Sequence, residues 1–361
     1  MVNPLSKFFP VPRYLQIPAV GVDLSDRSVK YIEFKKIPGG FRLKRFGKKN
    51  IDKGLVENGI IKQKEALITQ LKLLRQELKT DNIIASLPEE KGFIKVVKIP
   101  LVDGPQIRKS LEVQIEEIVP FSSEEVIFDF EVIGKDIDNK KLVIVISAFP
   151  KSVSEDYSFV FRGAGFMPVA FELENQSLLR SFSESGSDKA IMVVDFGKTR
   201  TSFLVGEEGF VKFSSTINIA GEGIDKLLAR GLNIGVFEAE RAKKKQLVVR
   251  NEEGGILDII LPIISVVKDE AARIMNYWVS HAEEQGFKNK EIDKIILCGG
   301  DSNLSGLTDY LSYELKKNVE LGNAWMNVAS FDDYIPEIEC RESMMYATAI
   351  GLALRAIKIN D

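Results

Sequence analysis

Apolar residues recur along this chain at two spacings, every second position in some stretches and every third or fourth in others. The alternation between the two predicts a mixed α/β protein. Val20, Val22 and Leu24 run into the polar stretch 25–28, and Val29, Tyr31 and Ile32 run out of it. That pattern predicts a strand, a tight turn and a second strand. A third strand is expected over 41–51. In 62–79, Leu67, Leu71, Leu74 and Leu78 form the stripe of an amphipathic helix. The short run 83–87, ended by Pro88, reads as a buried strand. A block of different character follows: a strand over 93–99, a helix over 105–119 closed by Pro120, a strand over 126–132 and a strand over 142–148. We take it as an inserted subdomain spanning about 89–150. Helices near 153–164 and 173–183 lead to the polar segment SESGSDK, which marks a boundary near Ser187. Beyond it come a second strand, turn and strand over 190–205, a helix after Gly223, a short charged helix over 237–246, a long helix over 256–285, and a strand over 294–298 that enters a glycine turn and a helix.

The chain has 361 residues, room for about two domains. Its 45% hydrophobic and 28% charged content is that of a folded protein. Lys plus Arg total 49 against 52 for Asp plus Glu, a net charge of −3, which argues against a nucleic-acid binder. The only cysteines, Cys298 and Cys340, lack metal-ligand spacing and fit a reducing compartment. With His281 as the single histidine, in a polar helical context, histidine triads and HExxH zinc sites are excluded. No stretch approaches the roughly 18 consecutive apolar residues of a membrane span, so a soluble protein is expected. The leader 1–18 carries Pro4, Pro10, Pro12 and Pro18 and reads as an extended tail rather than a secretory signal.

The most informative feature is an internal repeat. Val22-Asp23-Leu24-Ser25-Asp26-Arg27-Ser28 and Val194-Asp195-Phe196-Gly197-Lys198-Thr199-Arg200 each end an apolar strand in an Asp, one residue, a small residue and a polar turn. Two copies half a chain apart suggest a duplicated fold with a ligand cleft between its halves. Ser25 and Gly197 would let backbone N–H groups approach phosphate oxygens, and Asp23 and Asp195 supply hard oxygen ligands for Mg²⁺. Lys30 would return toward the same phosphates as a point charge. A third motif, strand 295–298 feeding Gly299-Gly300-Asp301-Ser302-Asn303, opens a helix and frees backbone amides for a ligand.

In this order the three motifs resemble those of the superfamily of actin, sugar kinases and heat-shock chaperone ATPases: VGVDLSDRSVK the first phosphate motif, VVDFGKTRTSFLV the second, ILCGGDSNLSGL the adenosine motif. Segment 239–243, AERAK, resembles the A-E-x-x-K of the cell-division homologue FtsA. The block 107–121, in which a helix ends in Pro120-Phe121, followed by Phe128-Asp129-Phe130-Glu131-Val132, resembles the PilM family of type IV pilus assembly. The resemblance spans 19–354. It implies an actin-like (ribonuclease H-like) two-lobed fold with a duplicated core. The tail is 1–18, the first lobe 19–187 with its insert, the second lobe 188–340 with a subdomain at about 231–289, and 341–361 a C-terminal helix returning to the first lobe. It implies ATP and Mg²⁺ between the lobes, held by Asp23, Ser25, Asp26, Arg27, Ser28 and Lys30, by Asp195, Gly197, Lys198, Thr199 and Thr201, by Gly221, Glu240 and Lys243, and by Gly299, Gly300, Asp301 and Asn303. Ser25 stands where the family has glycine, Asp301-Ser302 replaces a Gly-Ala pair, and Ala220-Gly221-Glu222-Gly223 replaces a Gly-Gly helix start.

The resemblance further implies capture of the cytoplasmic N-terminal peptide of a PilN-like inner-membrane protein, at the inner face of the cytoplasmic membrane. Ile107, Leu111, Ile115 and Ile118 share one face of the 105–119 helix. We expect the partner where the insert meets the first lobe, against Leu111, Ile115, Phe121 and Phe128. Glu172 and Glu174 are candidates for orienting water, equally readable as solvated helix charges, and no catalytic residue is assigned. The alternatives are an FtsA-like membrane-associated filament, a type II secretion scaffold and, further off, a metabolic kinase. Phe8, Phe9, Tyr14, Lys7 and Arg13 give the tail the makings of a docking or membrane-touching segment or of a disordered leader.

Overall fold

In the computed structural model, residues 19–38, 40–137, 139–184, 186–245, 256–285 and 287–358 are described, so the tail 1–18 lies outside the described residues. The first half of the chain runs through β1 (Val20–Leu24), β2 (Ser28–Ile37), β3 (Gly40–Asn50), the small hairpin β4 (Val56–Glu57) and β5 (Ile60–Ile61), α1 (Lys64–Leu78), β6 (Asn82–Leu87), β7 (Phe93–Pro100), α2 (Gly104–Ile118), β8 (Val126–Asp136), β9 (Lys141–Pro150), α3 (Lys151–Gly163), β10 (Met167–Leu173) and α4 (Glu174–Phe182). The second half adds β11 (Ile191–Phe196), β12 (Thr201–Glu207), β13 (Phe210–Ile217), α5 (Gly221–Gly231), α6 (Val236–Lys245), α7 (Ile256–Gln285), β14 (Lys294–Cys298), α8 (Leu307–Leu315), β15 (Asn318–Leu321), α9 (Cys340–Ser343) and α10 (Ala347–Lys358).

Two five-stranded sheets are built on one plan. The first has the order β10-β6-β1-β2-β3 and the second β13-β12-β11-β14-β15. In each, three strands form an antiparallel meander, and two more strands extend the sheet in parallel from the meander's first strand. The repeated hairpins occupy equivalent places: Asp23 pairs with Lys30 across β1 and β2, and Asp195 with Ser202 across β11 and β12. β1 is buried along its whole length, as a central strand covered on both faces must be. The edge strands β10, β13 and β15 and the hairpin β4–β5 escape the sequence pattern. β10 contains Pro168 beside a register shift, and β15 is only four residues long.

The insert is a three-stranded sheet, order β7-β9-β8, with α2 on one face. Alternation along β9 divides its side chains. Leu142, Ile144 and Ile146 meet Ile107, Leu111 and Ile115 of α2, while Val143, Val145 and Phe149 join the main core. α10 returns to the first lobe and lies close against β1 and α4. A Cβ on Gly351 would sit 1.9 Å from the Ser177 carbonyl oxygen, and one on Gly21 2.4 Å from that of Ala349. Cys298 and Cys340 are both free. Among the described residues no helix is long and apolar enough to cross a membrane.

Candidate functional site

The ends of β1, β11 and β14 converge on one cavity of about 450 Å³. At the first hairpin the Ser25 amide and hydroxyl both donate to the Ser28 carbonyl, 2.9 and 3.0 Å, closing a turn that leaves Arg27 at the cavity wall. Asp23 is buried with both oxygens engaged, one by Lys30 Nζ at 2.7 Å and one by Ser86 Oγ at 3.1 Å. Burial alone would drive the Lys30 ammonium down. Asp23, by charge and hydrogen bond, and Asp195 and Glu174, by charge, outweigh it and hold the lysine above its ordinary value. Burial pushes the Asp195 carboxyl up, Lys30 draws it down and Asp23 pushes it up again. The third motif closes on the second: Asp301 N donates to the Phe196 carbonyl at 3.0 Å, and a Cβ on Gly299 would lie 2.3 Å from Asp195 Oδ1.

Of the residues the sequence proposes for nucleotide, Asp23, Ser25, Arg27, Ser28, Lys30, Asp195, Gly197, Lys198, Thr199, Glu240, Gly299, Gly300 and Asp301 line this cavity. The other five do not line it. Asp26 is buried and accepts the Asn58 and Gly59 amides, each at 3.1 Å. Thr201 Oγ1 donates to the Ile219 carbonyl at 2.6 Å. Gly221 leaves room for the Asp301 carboxylate, whose Oδ2 would lie 1.9 Å from an added Cβ. Lys243 is buried between Asp225 and Asp301, 2.7 and 2.5 Å away. Asn303 donates to the Arg341 carbonyl at 2.9 Å. Charged side chains at the mouth are themselves paired: Arg27 with Glu222 of α5 at 2.7 Å, and Lys198 with Asp225 and Glu240 at 2.5 and 3.0 Å.

Sequence reasoning missed Arg200. It leaves the second hairpin for the first lobe, where Nη2 lies 2.8 Å from each Glu174 oxygen and Nε lies 3.0 Å from Glu90. Burial pushes the Glu174 carboxyl up to about 8, against the opposing charge of Arg200. The two glutamates proposed from sequence are thus separated: Glu174 faces the cavity, whereas Glu172 forms a bidentate pair with Arg180 outside it.

Asp195 and Asp23, the latter by exchanging its bond to Lys30, would offer two hard carboxylates to a cation, and the described residues contain no cluster of three or more carboxylate, histidine or cysteine donors. That donor set suits Mg²⁺, which keeps its waters and takes phosphate oxygens for the rest of its shell.

A second cavity, about 400 Å³, opens where the insert meets the first lobe. Ile127, Phe128, Phe149, Phe171 and Leu173 supply its apolar wall, and Gln176, Arg180 and Arg355 part of its polar side. β8, an edge strand, runs along it. Leu111 and Ile115, expected from sequence to meet the partner, are 0% and 2% exposed in the insert's own core, because that face of α2 covers the insert sheet. Phe121 packs against the same core and is not part of the groove wall. Phe128 borders the groove and also packs against that core, with the Arg108 guanidinium of α2 5.2 Å from its ring centre.

The family model described as type IV pilus assembly protein PilM matches residues 21–357. The chain belongs to the PilM family. A solved PilM-PilN type IV pilus biogenesis complex matches this PilM-family chain with a TM-score of 0.79 at 22% identity, over 95% of this chain and 99% of that one. The ethanolamine utilization protein EutJ from Carboxydothermus hydrogenoformans matches at TM-score 0.56 and 16% identity, over 95% of this chain and 93% of that one. MreB5 of Spiroplasma citri bound to ADP matches at 0.54 and 13%, over 94% and 96%. The fold is actin-like.

Proposed function

We propose that this PilM-family protein is a scaffold of type IV pilus assembly that holds ATP with Mg²⁺ between its lobes and captures the cytoplasmic N-terminal segment of a PilN-like membrane protein. The observation that carries the reading is the groove between insert and first lobe, about 400 Å³ with an apolar wall and an open strand edge, in a member of this family. An extended peptide suits such a place, because the edge supplies main-chain hydrogen bonds and the wall supplies pockets for alternate side chains. In the cleft, Lys30 and Arg27 would meet phosphate charge, the backbone at Gly197 and Gly299–Gly300 would approach without a side chain in the way, and Asp23 and Asp195 would supply carboxylates for a cation. Bound Mg²⁺ would neutralise phosphate charge.

The test titrates the PilN-like partner's N-terminal peptide into the full chain and into Ile127→Asp. Ile127 is 40% exposed on β8, so the change leaves folding intact. Loss of affinity by about 10-fold or more is expected, a cost of about 1.4 kcal/mol. Equal affinity for the two proteins would overturn the reading.

A further inference from the structure

The apolar groove does not end at Arg180. A further cavity of about 460 Å³ lies beyond it, between α4, residues 183–184 and 186–188 and the β12–β13 turn, and the two share Glu131, Val145, Glu172, Gln176 and Arg180 as walls. The two adjoin along these shared walls as one channel, to which α4 contributes Gln176 and Arg180. Its two parts differ in chemistry. The first is apolar on one side; the second is lined by Glu131, Glu172, Glu184, Asp188 and Glu208 and by one basic side chain, Arg180, while Glu208 is paired with Lys288. That arginine is already committed to Glu172, which also lies 3.5 Å from Arg355.

We infer that this channel selects a cationic partner: an extended segment that seats a large apolar side chain against Phe149 and Phe171 and places lysine or arginine among Glu131, Glu184 and Asp188. The inference rests on the groove reading above and adds the charge of the occupant. The occupant it fits is the short cytoplasmic segment that precedes a membrane span, since such segments carry an excess of Lys and Arg. Opposite charge at the far end would fix the direction in which the peptide lies, and it would speed its capture.

The experiment uses the full chain and three fluorescent 12-residue peptides with one shared neutral scaffold. The first carries two leucines followed by two lysines, the second the same leucines followed by two glutamates, and the third the lysines with both leucines changed to serine. The lysine–leucine peptide should bind at least about 10-fold more tightly than the glutamate–leucine one, and raised salt should narrow the gap. The double variant Glu131→Lys/Asp188→Lys, at two exposed positions, should abolish or reverse the preference. Equal binding of the two leucine peptides overturns the inference and leaves the groove reading standing. Binding that ignores the leucines, or no binding of either leucine peptide, removes the groove reading and this inference with it.

Discussion

A methyl group on Gly299 would collide with Asp195 Oδ1 and lie 2.5 Å from the Phe196 carbonyl oxygen, and the residue's φ of +91° disfavours any side chain. Gly299→Ala is therefore expected to cost about 1–3 kcal/mol in urea unfolding. It should also displace the Asp195 carboxylate, so it weakens nucleotide more than an equal loss of stability would. Two buried acids set a dependence on pH. Burial pushes Glu174 up to about 8, and it pushes Glu89 up to about 7 against a hydrogen bond from Ser214. Both lie above the unfolded carboxylate value of about 4.3, so the folded state keeps protons that the unfolded chain has released. Their contribution to stability thus falls as pH rises from about 4.5 to about 8. Glu89→Gln should gain on the parent protein across that range when both are unfolded at a series of pH values. A constant difference between the two would contradict the assignment.

The α2 helix tests how an element is used. Leu111→Asp places a charge in the insert's dry core and should cost about 3 kcal/mol or more, with loss of groove binding. Val113→Asp, on the same helix at 86% exposed, should stay within about 0.5 kcal/mol of the parent. Chemical denaturation and limited proteolysis of the insert read both. The β11–β12 turn offers the parallel case for the cleft. Arg200→Met would strand Glu174, Glu90 and Asp26 without their shared cation, at a cost of about 3–5 kcal/mol. If unfolding shows no such loss, the pin between the lobes is unimportant. The periodicity of α2 is legible in the sequence, yet it says only that the helix has an apolar face. Whether that face meets the insert sheet or a partner depends on where β7, β8 and β9 lie.

For the whole molecule, thermal unfolding with ATP and Mg²⁺ reads the cleft directly. At about 100 times its dissociation constant a ligand stabilises by about 2.7 kcal/mol, and Asp195→Asn should remove the Mg²⁺-dependent part of the shift. No shift at millimolar ATP would exclude a nucleotide scaffold. The duplicated plan, the two Asp hairpins and the Gly299-Gly300 turn could be read from the chain because each is contiguous: an apolar strand, a turn and its polar residues lie within about a dozen positions. Leu67, Leu71, Leu74 and Leu78 were legible for the same reason, and all four are buried. Edge strands such as β10 were not, since half their side chains meet solvent and a proline interrupts the alternation. Sequence alone could not separate Asp23, which lines the cavity, from Asp26, which does not, or Glu174 from Glu172, because neighbours in a chain can lie on opposite sides of a wall. Arg200 acquired its partners, and the groove its aromatic wall and acidic extension, only when distant segments were packed together. Local pattern determined which elements form; burial and charge pairing between elements far apart in sequence decided which residues face a ligand.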